Sequence, residues 1–149
     1  MLVSPSVSLL NASNTGGSGR TNSVRGPILV VDDDDAIREA LALVLELRGY
    51  PAVAVANGAQ ALKVLDEGLR PCLIVLDLMM PEMDGIEFRQ RQCENPEIAD
   101  IPVVMLSAAE SVEHYANLLR AEVYLRKPLF EFDKLFEVVA HYRPPEEEH

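Results

Sequence analysis

The sequence has few cysteines, no long apolar run and comparatively few basic residues. Its two cysteines, Cys72 and Cys93, show neither CxxC spacing nor histidines beside them, which argues against a disulfide framework or a zinc site and favours a reduced, cytoplasmic protein. No apolar run approaches the ~20 residues of a membrane helix. Residues 1–12 contain no Lys or Arg, so they do not resemble a signal peptide, and we expect no membrane association.

Basic residues are outnumbered by acidic ones. The chain contains 13 Lys and Arg against 24 Asp and Glu, giving a formal net charge of −11. Neutralising a phosphate backbone requires clustered positive charge, so we expect no direct nucleic-acid binding. A protein partner or a small phosphodonor fits this charge better. With 149 residues, of which 48% are hydrophobic, the chain suits one domain with a substantial core.

Composition divides the chain into three parts. Residues 1–26 are rich in Ser, Asn and Gly and show no periodicity, which predicts a flexible tail. Residues 27–142 carry the regular patterns of a folded domain. Residues 143–149 contain Pro144-Pro145 and three glutamates, which predict a short charged tail. Since little chain follows Tyr142, we expect the domain to stand alone, without an output domain.

Five apolar runs of strand length alternate with segments of helical periodicity, which is typical of βα units around a parallel sheet. The fold class is therefore α/β, with five strands and five helices. Predicted strands cover residues 28–31, 50–55, 72–77, 102–106 and 123–126. Predicted helices carry the apolar stripe Ile37, Leu41, Val44 and Leu45, the capping pairs Asn57/Gln60 and Asp84/Glu87, a weaker stripe Val112, Tyr115 and Leu119, and the stripe Phe132, Leu135, Phe136 and Val139.

Polar residues stand at the ends of four of these strands. Asp32 and Asp33 follow the first strand and Asp77 closes the third, while Ser107 and Lys127 follow the fourth and fifth. Ligands of parallel α/β sheets bind at this edge. Three carboxylates in one crevice repel one another unless a cation is present, and Mg²⁺ is commonly held by carboxylates and phosphate oxygens. Three acids, a lysine and a hydroxyl therefore predict phosphoryl chemistry.

Four motifs in this order resemble the response-regulator receiver domain of two-component signalling. They are VVDDDDAIR at residues 30–38, LIVLDLMMPEMDG at 73–85, VVMLSA at 103–108 and YLRKP at 124–128. The resemblance covers nearly everything between the two tails. It implies a doubly wound, flavodoxin-like sheet with strand order 2-1-3-4-5.

The resemblance also implies a role for each matching residue. Asp77 would be the phosphoacceptor, and Mg²⁺, or Mn²⁺ in its place, would be held by Asp32, Asp33, Asp77 and the backbone carbonyl of Met79. Asp33 would bind the metal directly and Asp32 mostly through a water molecule. Lys127 and Ser107 would contact the phosphoryl group. Ser107 and Tyr124 would form the switch, and the Lys127-Pro128 bond would be cis.

The implied function is Mg-dependent phosphorylation and dephosphorylation of the protein's own aspartate, rather than conventional turnover of a substrate. The phosphodonor would be a sensor histidine kinase or a histidine phosphotransfer protein. Phosphorylation would switch the face formed by the fourth helix, fifth strand and fifth helix, which binds an unknown protein target.

Other interpretations remain open. The domain could instead be a phosphate-shuttling intermediate of a phosphorelay, or a docking module that works without phosphorylation. A phosphatase of the haloacid dehalogenase type is disfavoured because Met79 stands where that family usually has an acid.

Capping is the simpler role for Asp34 and Asp35. The stretch between Ser107 and Lys127 is a residue or two short for a receiver, and Arg120 replaces a common glycine. These departures concern the fourth helix and the output face.

Overall fold

A five-stranded parallel sheet forms the centre of the molecule, with strand order β2-β1-β3-β4-β5. The computed structural model describes residues 26–78, 80, 82–107, 123–126 and 133–143, with the backbone alone for Ser107, Val123, Tyr124 and Arg126. The strands are β1 (Ile28–Val31), β2 (Ala52–Val55), β3 (Leu73–Asp77), β4 (Val103–Ser107) and β5 (Val123–Arg126). Both the parallel sheet and its predicted strand order are confirmed.

Four helices lie within the described residues. They are α1 (Asp35–Leu47), α2 (Gly58–Asp66), α3 (Gly85–Glu94) and α4 (Asp133–Tyr142). The last of these, α4, is the fifth helix of the sequence prediction. The predicted fourth helix around Val112, Tyr115 and Leu119 lies outside the described residues, as do Arg120, Phe132 and most of both predicted tails.

The helices cover both faces of the sheet. One core cluster joins α2 and α3 to one face, and the other joins α1 and α4 to the opposite face. Successive residues of a strand point to opposite faces, so β1 contributes to both clusters and its four residues are all 0% exposed. This explains why the central strands read as continuous apolar runs rather than as an alternating pattern. Helical residues of the two clusters include Ala61, Leu65 and Phe88 in the first, and Leu41, Leu45, Leu135 and Val139 in the second.

The predicted helix signals have the expected structural roles. Asp34, Asn57 and Asp84 are the N-cap residues of α1, α2 and α3, and each side chain accepts hydrogen bonds from backbone N–H groups of the first turn. After α1 and α2, the chain passes through Gly49 and Gly68 with φ of 89° and 111°. Residues with side chains rarely adopt this left-handed conformation, so the two glycines allow the chain to leave its helix.

Four predicted strand boundaries differ from the structure by one or two residues. β2 begins at Ala52 rather than Tyr50, and β3 begins at Leu73 rather than Cys72. β4 begins after Pro102 and includes Ser107, which was predicted to follow it. Proline has no N–H to donate, yet the carbonyl oxygen of Pro102 accepts a hydrogen bond from the Ile74 N–H at 2.9 Å. This proline therefore contributes to the pairing just outside the strand that it precedes.

A buried polar network supports the end of α3. The Gln92 side chain is 0% exposed and donates to the carbonyl oxygens of Ile98 and Ile101 at 2.8 and 3.1 Å. Arg89, which is also buried, donates to the Gln92 side-chain oxygen at 2.7 Å. These contacts hold the turn between α3 and β4, and apolar periodicity does not predict them. In the described part of the chain, no helix is both long enough and apolar enough to cross a bilayer.

Cys72 generates a prediction about alkaline stability. Burial raises the pKa of its thiol from 9.0 to about 11, partly opposed by the positive charge of Arg143. Folding therefore favours the protonated thiol, and this contribution is complete below pH 9 and is lost as the pH rises to about 11. Across that range, wild type should lose about 1–3 kcal/mol more unfolding free energy than Cys72→Ala, as measured by urea denaturation.

Cys93 provides the internal control, because it is exposed on α3. At pH 8, iodoacetamide should modify Cys93 readily and leave Cys72 intact, with peptide masses as the readout. Equal labelling of the two thiols in folded protein, or parallel stability profiles for wild type and Cys72→Ala, would contradict the burial of Cys72.

Candidate functional site

Three aspartates meet at the carboxyl edge of the sheet. Asp32 and Asp33 follow β1, and Asp77 is the last residue of β3. These strands are neighbours, with Val31 opposite Leu76, so Asp32 and Asp77 come at the same level of the sheet. One carboxylate oxygen from each of the three residues lies within 4.8 Å of the other two. The structure thus brings Asp77 next to two residues that precede it by 44 and 45 positions in the sequence.

The three carboxylates differ in exposure. Asp32 and Asp77 are only 1% and 4% exposed, whereas Asp33 is exposed at the rim. Removing a carboxylate from water disfavours its charged form, and a second carboxylate nearby adds repulsion. Burying two carboxylates side by side, as at Asp32 and Asp77, therefore costs free energy. A cation bound at this position would reduce this cost, and it could enter from the side of Asp33.

The donor set fits a hard divalent cation. It consists entirely of carboxylate oxygens, with no sulfur or imidazole ligand among the three residues. Mg²⁺ prefers oxygen ligands, uses one or two carboxylates and retains several waters, so three carboxylates open to solvent on one side suit it. Zinc, a softer ion than Mg²⁺, is usually bound by cysteine or histidine instead. The residues present therefore fit Mg²⁺.

The loop after β1 is held by its own hydrogen bonds. The Asp32 carboxylate accepts a hydrogen bond from the Asp34 N–H at 2.9 Å. The Asp34 carboxylate in turn accepts from the N–H groups of Ala36 and Ile37 at 3.0 and 3.2 Å, which begins α1. The predicted capping role of Asp34 is confirmed. Asp35 is the first residue of α1 and forms an ion pair with Arg38. Arg38 was not among the predicted site residues.

The loop after β3 is closely packed at two glycines. The Gly85 N–H donates to the carbonyl oxygen of Leu78 at 2.9 Å, and a Cβ at Gly85 would lie 2.6 Å from the carbonyl oxygen of Asp77. The Gly58 N–H donates to the carbonyl oxygen of Met83 at 3.0 Å, and a Cβ at Gly58 would lie 2.7 Å from that oxygen. The starts of α3 and α2 therefore contact this loop closely at Asp77, Leu78 and Met83.

The remaining predicted site residues are described only in part. Asp77 lies opposite Leu106 in the pairing of β3 with β4, so the backbone of Ser107, one residue further, reaches the same edge. Tyr124 lies opposite Met105 in the middle of β5. Met79 and Lys127 lie outside the described residues. The roles of these four residues therefore stay predictions.

The fold and the acidic edge together define a doubly wound α/β domain with a candidate cation site, and a comparison with known families identifies which family it belongs to. Residues 28–140 match the model of the response regulator receiver domain, and the chain belongs to that family. It is thus a receiver domain of two-component signal transduction, a class that accepts a phosphoryl group on an aspartate.

Curated relatives are longer than this chain. It is 41% identical over 103 residues to response regulator MprA of Mycobacterium sp. strain KMS, covering 68% of this chain and 44% of MprA. It is 36% identical over 130 residues to the DNA-binding response regulator MtrA of Mycolicibacterium smegmatis, covering 85% of this chain and 55% of MtrA. The chain thus spans about half the length of these relatives.

Solved structures of similar size share the fold. The response regulator TrrA of Thermotoga maritima, in complex with Mg²⁺ and BeF, has a TM-score of 0.70 at 32% identity, covering 78% of this chain and 98% of TrrA. The chemotaxis protein CheY4 of Vibrio cholerae has a TM-score of 0.70 at 26% identity, with the same coverage.

Asp77→Asn should stabilise the metal-free protein. The change removes one of three mutually repelling carboxylates while keeping nearly the same shape. We expect the melting temperature without Mg²⁺ to rise by ~3–10 °C, measured by circular dichroism in EDTA. Asp100→Asn removes the same charge from an exposed turn and is the control, with a much smaller expected change. An unchanged or lower melting temperature for Asp77→Asn would argue against repulsion at the acidic edge.

Gly85→Ala should disturb the acidic site through the backbone. The added methyl group would force the carbonyl of Asp77 to move, at a cost of about 1–3 kcal/mol. We also expect Mg²⁺ to raise the melting temperature less than in wild type. The control is Gly49→Ala, which strains a left-handed residue with open space around it. That variant should lose stability and keep its full response to Mg²⁺; identical behaviour of the two variants would refute the coupling.

Proposed function

We propose that Asp77 is the residue of this receiver domain that accepts the phosphoryl group. The observation that carries the proposal is the meeting of Asp32, Asp33 and Asp77 at the carboxyl edge of the sheet, within 4.8 Å of one another. Asp32 and Asp33 precede α1, whereas Asp77 ends β3, the central strand of the sheet. The earlier pair would hold the metal, and Asp77 would contribute one oxygen to it and use the other as nucleophile.

The chemistry is a displacement at phosphorus. A carboxylate oxygen of Asp77 forms a bond to the phosphorus atom while the bond from phosphorus to the donor's leaving atom breaks. With acetyl phosphate as donor, the leaving group is acetate and the product is an aspartyl phosphate. Because little other covalent work is required, the protein contributes mainly by positioning the groups and offsetting charge. Bound Mg²⁺ would supply positive charge next to the phosphoryl oxygens.

Four further residues complete the proposed site. The backbone carbonyl of Met79 would be another metal ligand, and Lys127 would offset charge on the phosphoryl group. The Ser107 hydroxyl would donate a hydrogen bond to a phosphoryl oxygen, and Tyr124 would change rotamer in response. The position of Ser107 at the end of β4, beside the end of β3, supports its part of this proposal. Mn²⁺ also accepts oxygen ligands, so it would serve in place of Mg²⁺ when Mg²⁺ is absent.

The physiological donor would be a sensor histidine kinase or a histidine phosphotransfer protein. Phosphorylation would shift the conformational equilibrium of the domain. The favoured conformation would present a face, including β5 and α4, with higher affinity for a protein target. The net charge of −11 supports a protein rather than a nucleic acid as the partner of this segment. The low cysteine content supports a reducing compartment, the cytoplasm, as the place of the reaction.

The test is direct phosphorylation of the purified protein. Acetyl phosphate and Mg²⁺ should add the mass of one phosphoryl group, and borohydride reduction should convert the modified aspartate into homoserine at position 77. EDTA should abolish the adduct, and Mn²⁺ should restore it. Asp77→Asn should remain unmodified, whereas Asp100→Asn, the charge-matched control, should react like wild type.

A folded protein that binds Mg²⁺ but gains no adduct at Asp77 would contradict the proposal. The same result would favour a docking module that works without phosphorylation. If the adduct forms and then moves quickly to a histidine phosphotransfer protein, a relay intermediate is favoured over a terminal switch.

A further inference from the structure

We infer that Arg38 is a positioning residue for the metal-binding carboxylates, because it ties the loop after β1 to α1. The inference rests on the proposed metal site. Arg38 lies one turn into α1, and its side chain is 18% exposed. It is thus a largely buried cation next to an acidic loop, and its contacts show what it holds.

The first contact fixes a peptide plane. Nη1 of Arg38 donates to the backbone carbonyl oxygen of Asp32 at 2.9 Å. That carbonyl belongs to the planar peptide unit between Asp32 and Asp33, so its direction helps to set the backbone of both residues. Because both side chains point from this unit, one guanidinium contact constrains two of the three carboxylates of the acidic edge.

The second set of contacts holds the loop from the other side. The Asp32 carboxylate accepts from the Asp34 N–H at 2.9 Å, and the Arg38 N–H donates to the carbonyl oxygen of Asp34 at 2.8 Å. The other terminal nitrogen of Arg38 donates to the Asp35 carboxylate. Asp32 is therefore held at its carbonyl by a side chain and at its carboxylate by the backbone, and both attachments lead to the first turn of α1.

Arginine suits this task better than lysine. Its planar guanidinium presents donors in a rigid fork, so one side chain can hold a carbonyl and a carboxylate in fixed relative positions. A lysine would keep the charge but offers a single nitrogen on a flexible chain. The geometry thus predicts that the arrangement of donors in the guanidinium, and not only its charge, keeps the loop after β1 in its conformation.

The two possible roles of Arg38, to position the carboxylates or to act only as a positive charge, predict opposite changes in Mg²⁺ affinity. A nearby cation repels Mg²⁺, so removal of a guanidinium that acts only as a charge should strengthen Mg²⁺ binding. Removal of a guanidinium that shapes the site should weaken it, as is usual for residues that orient metal ligands. The sign of the change therefore distinguishes the two roles.

The experiment measures Mg²⁺ affinity by calorimetric titration in wild type, Arg38→Met and Arg38→Lys. We expect the Kd of Arg38→Met to rise by about tenfold, and that of Arg38→Lys to rise in the same direction. In metal-free protein, the backbone amide of Asp34 should exchange with deuterium faster in both variants than in wild type. This second readout needs no metal and no phosphorylation.

Arg91→Met is the matched control. It makes the same substitution in an arginine of α3 that pairs with Glu87 at 3.4 Å, and it changes the net charge equally. Its Kd for Mg²⁺ and its Asp34 exchange should match wild type. Tighter or unchanged Mg²⁺ binding by Arg38→Met would overturn the inference, as would full affinity in Arg38→Lys.

The two proposals fail in different ways. If wild type itself does not bind Mg²⁺, the proposed metal site is wrong and the role of Arg38 fails with it. If wild type binds Mg²⁺ and accepts the phosphoryl group while the Arg38 variants keep wild-type affinity, only the inference about Arg38 fails. Should Arg38→Met not fold, the affinity and amide exchange of Arg38→Lys decide.

Discussion

Mutual repulsion of three carboxylates is the constraint on which the functional edge of this domain depends. The pairing of β1 with β3 puts Asp32 and Asp77 at the same level, and both are almost fully buried. Such a cluster costs folding free energy unless a cation is bound. The remainder of the molecule must supply that free energy, and the two apolar clusters on the faces of the sheet are its source.

Rigid attachment of the loops keeps this repulsion from opening the site. After β1, Asp34 and Arg38 tie the chain to α1, and after β3, Gly58 and Gly85 leave no space between the chain and the starts of α2 and α3. A more flexible loop would let the carboxylates move apart, which would lower the repulsion and also the affinity for a cation. In the proposed metal site, pre-organisation of the loops would convert this cost in stability into metal affinity.

Apolar patterning was sufficient to predict the sheet, and strand order followed from resemblance to a family. Runs such as residues 28–31 and 73–76 are buried on both sides, and Asp34, Asn57 and Asp84 cap helices as predicted. The acidic edge was predictable because its three aspartates stand at the ends of predicted parallel strands. The carboxyl ends of such strands lie along one edge of the sheet. Boundaries were less predictable, because Pro102 takes part in pairing through its carbonyl while lying outside β4.

Contacts from polar side chains to backbone carbonyls could not be predicted in the same way. Gln92 can be fully buried because its side chain donates hydrogen bonds to the carbonyl oxygens of Ile98 and Ile101. Arg38 likewise donates to the carbonyl oxygen of Asp32. Every residue offers a carbonyl, so sequence carries no signal for which one a side chain will find. The ion pair of Asp35 with Arg38 is of a more regular kind, because opposite charges three residues apart on a helix lie close together. Since these contacts hold the turns that join sheet and helices, they determine how accurately the predicted residues are positioned.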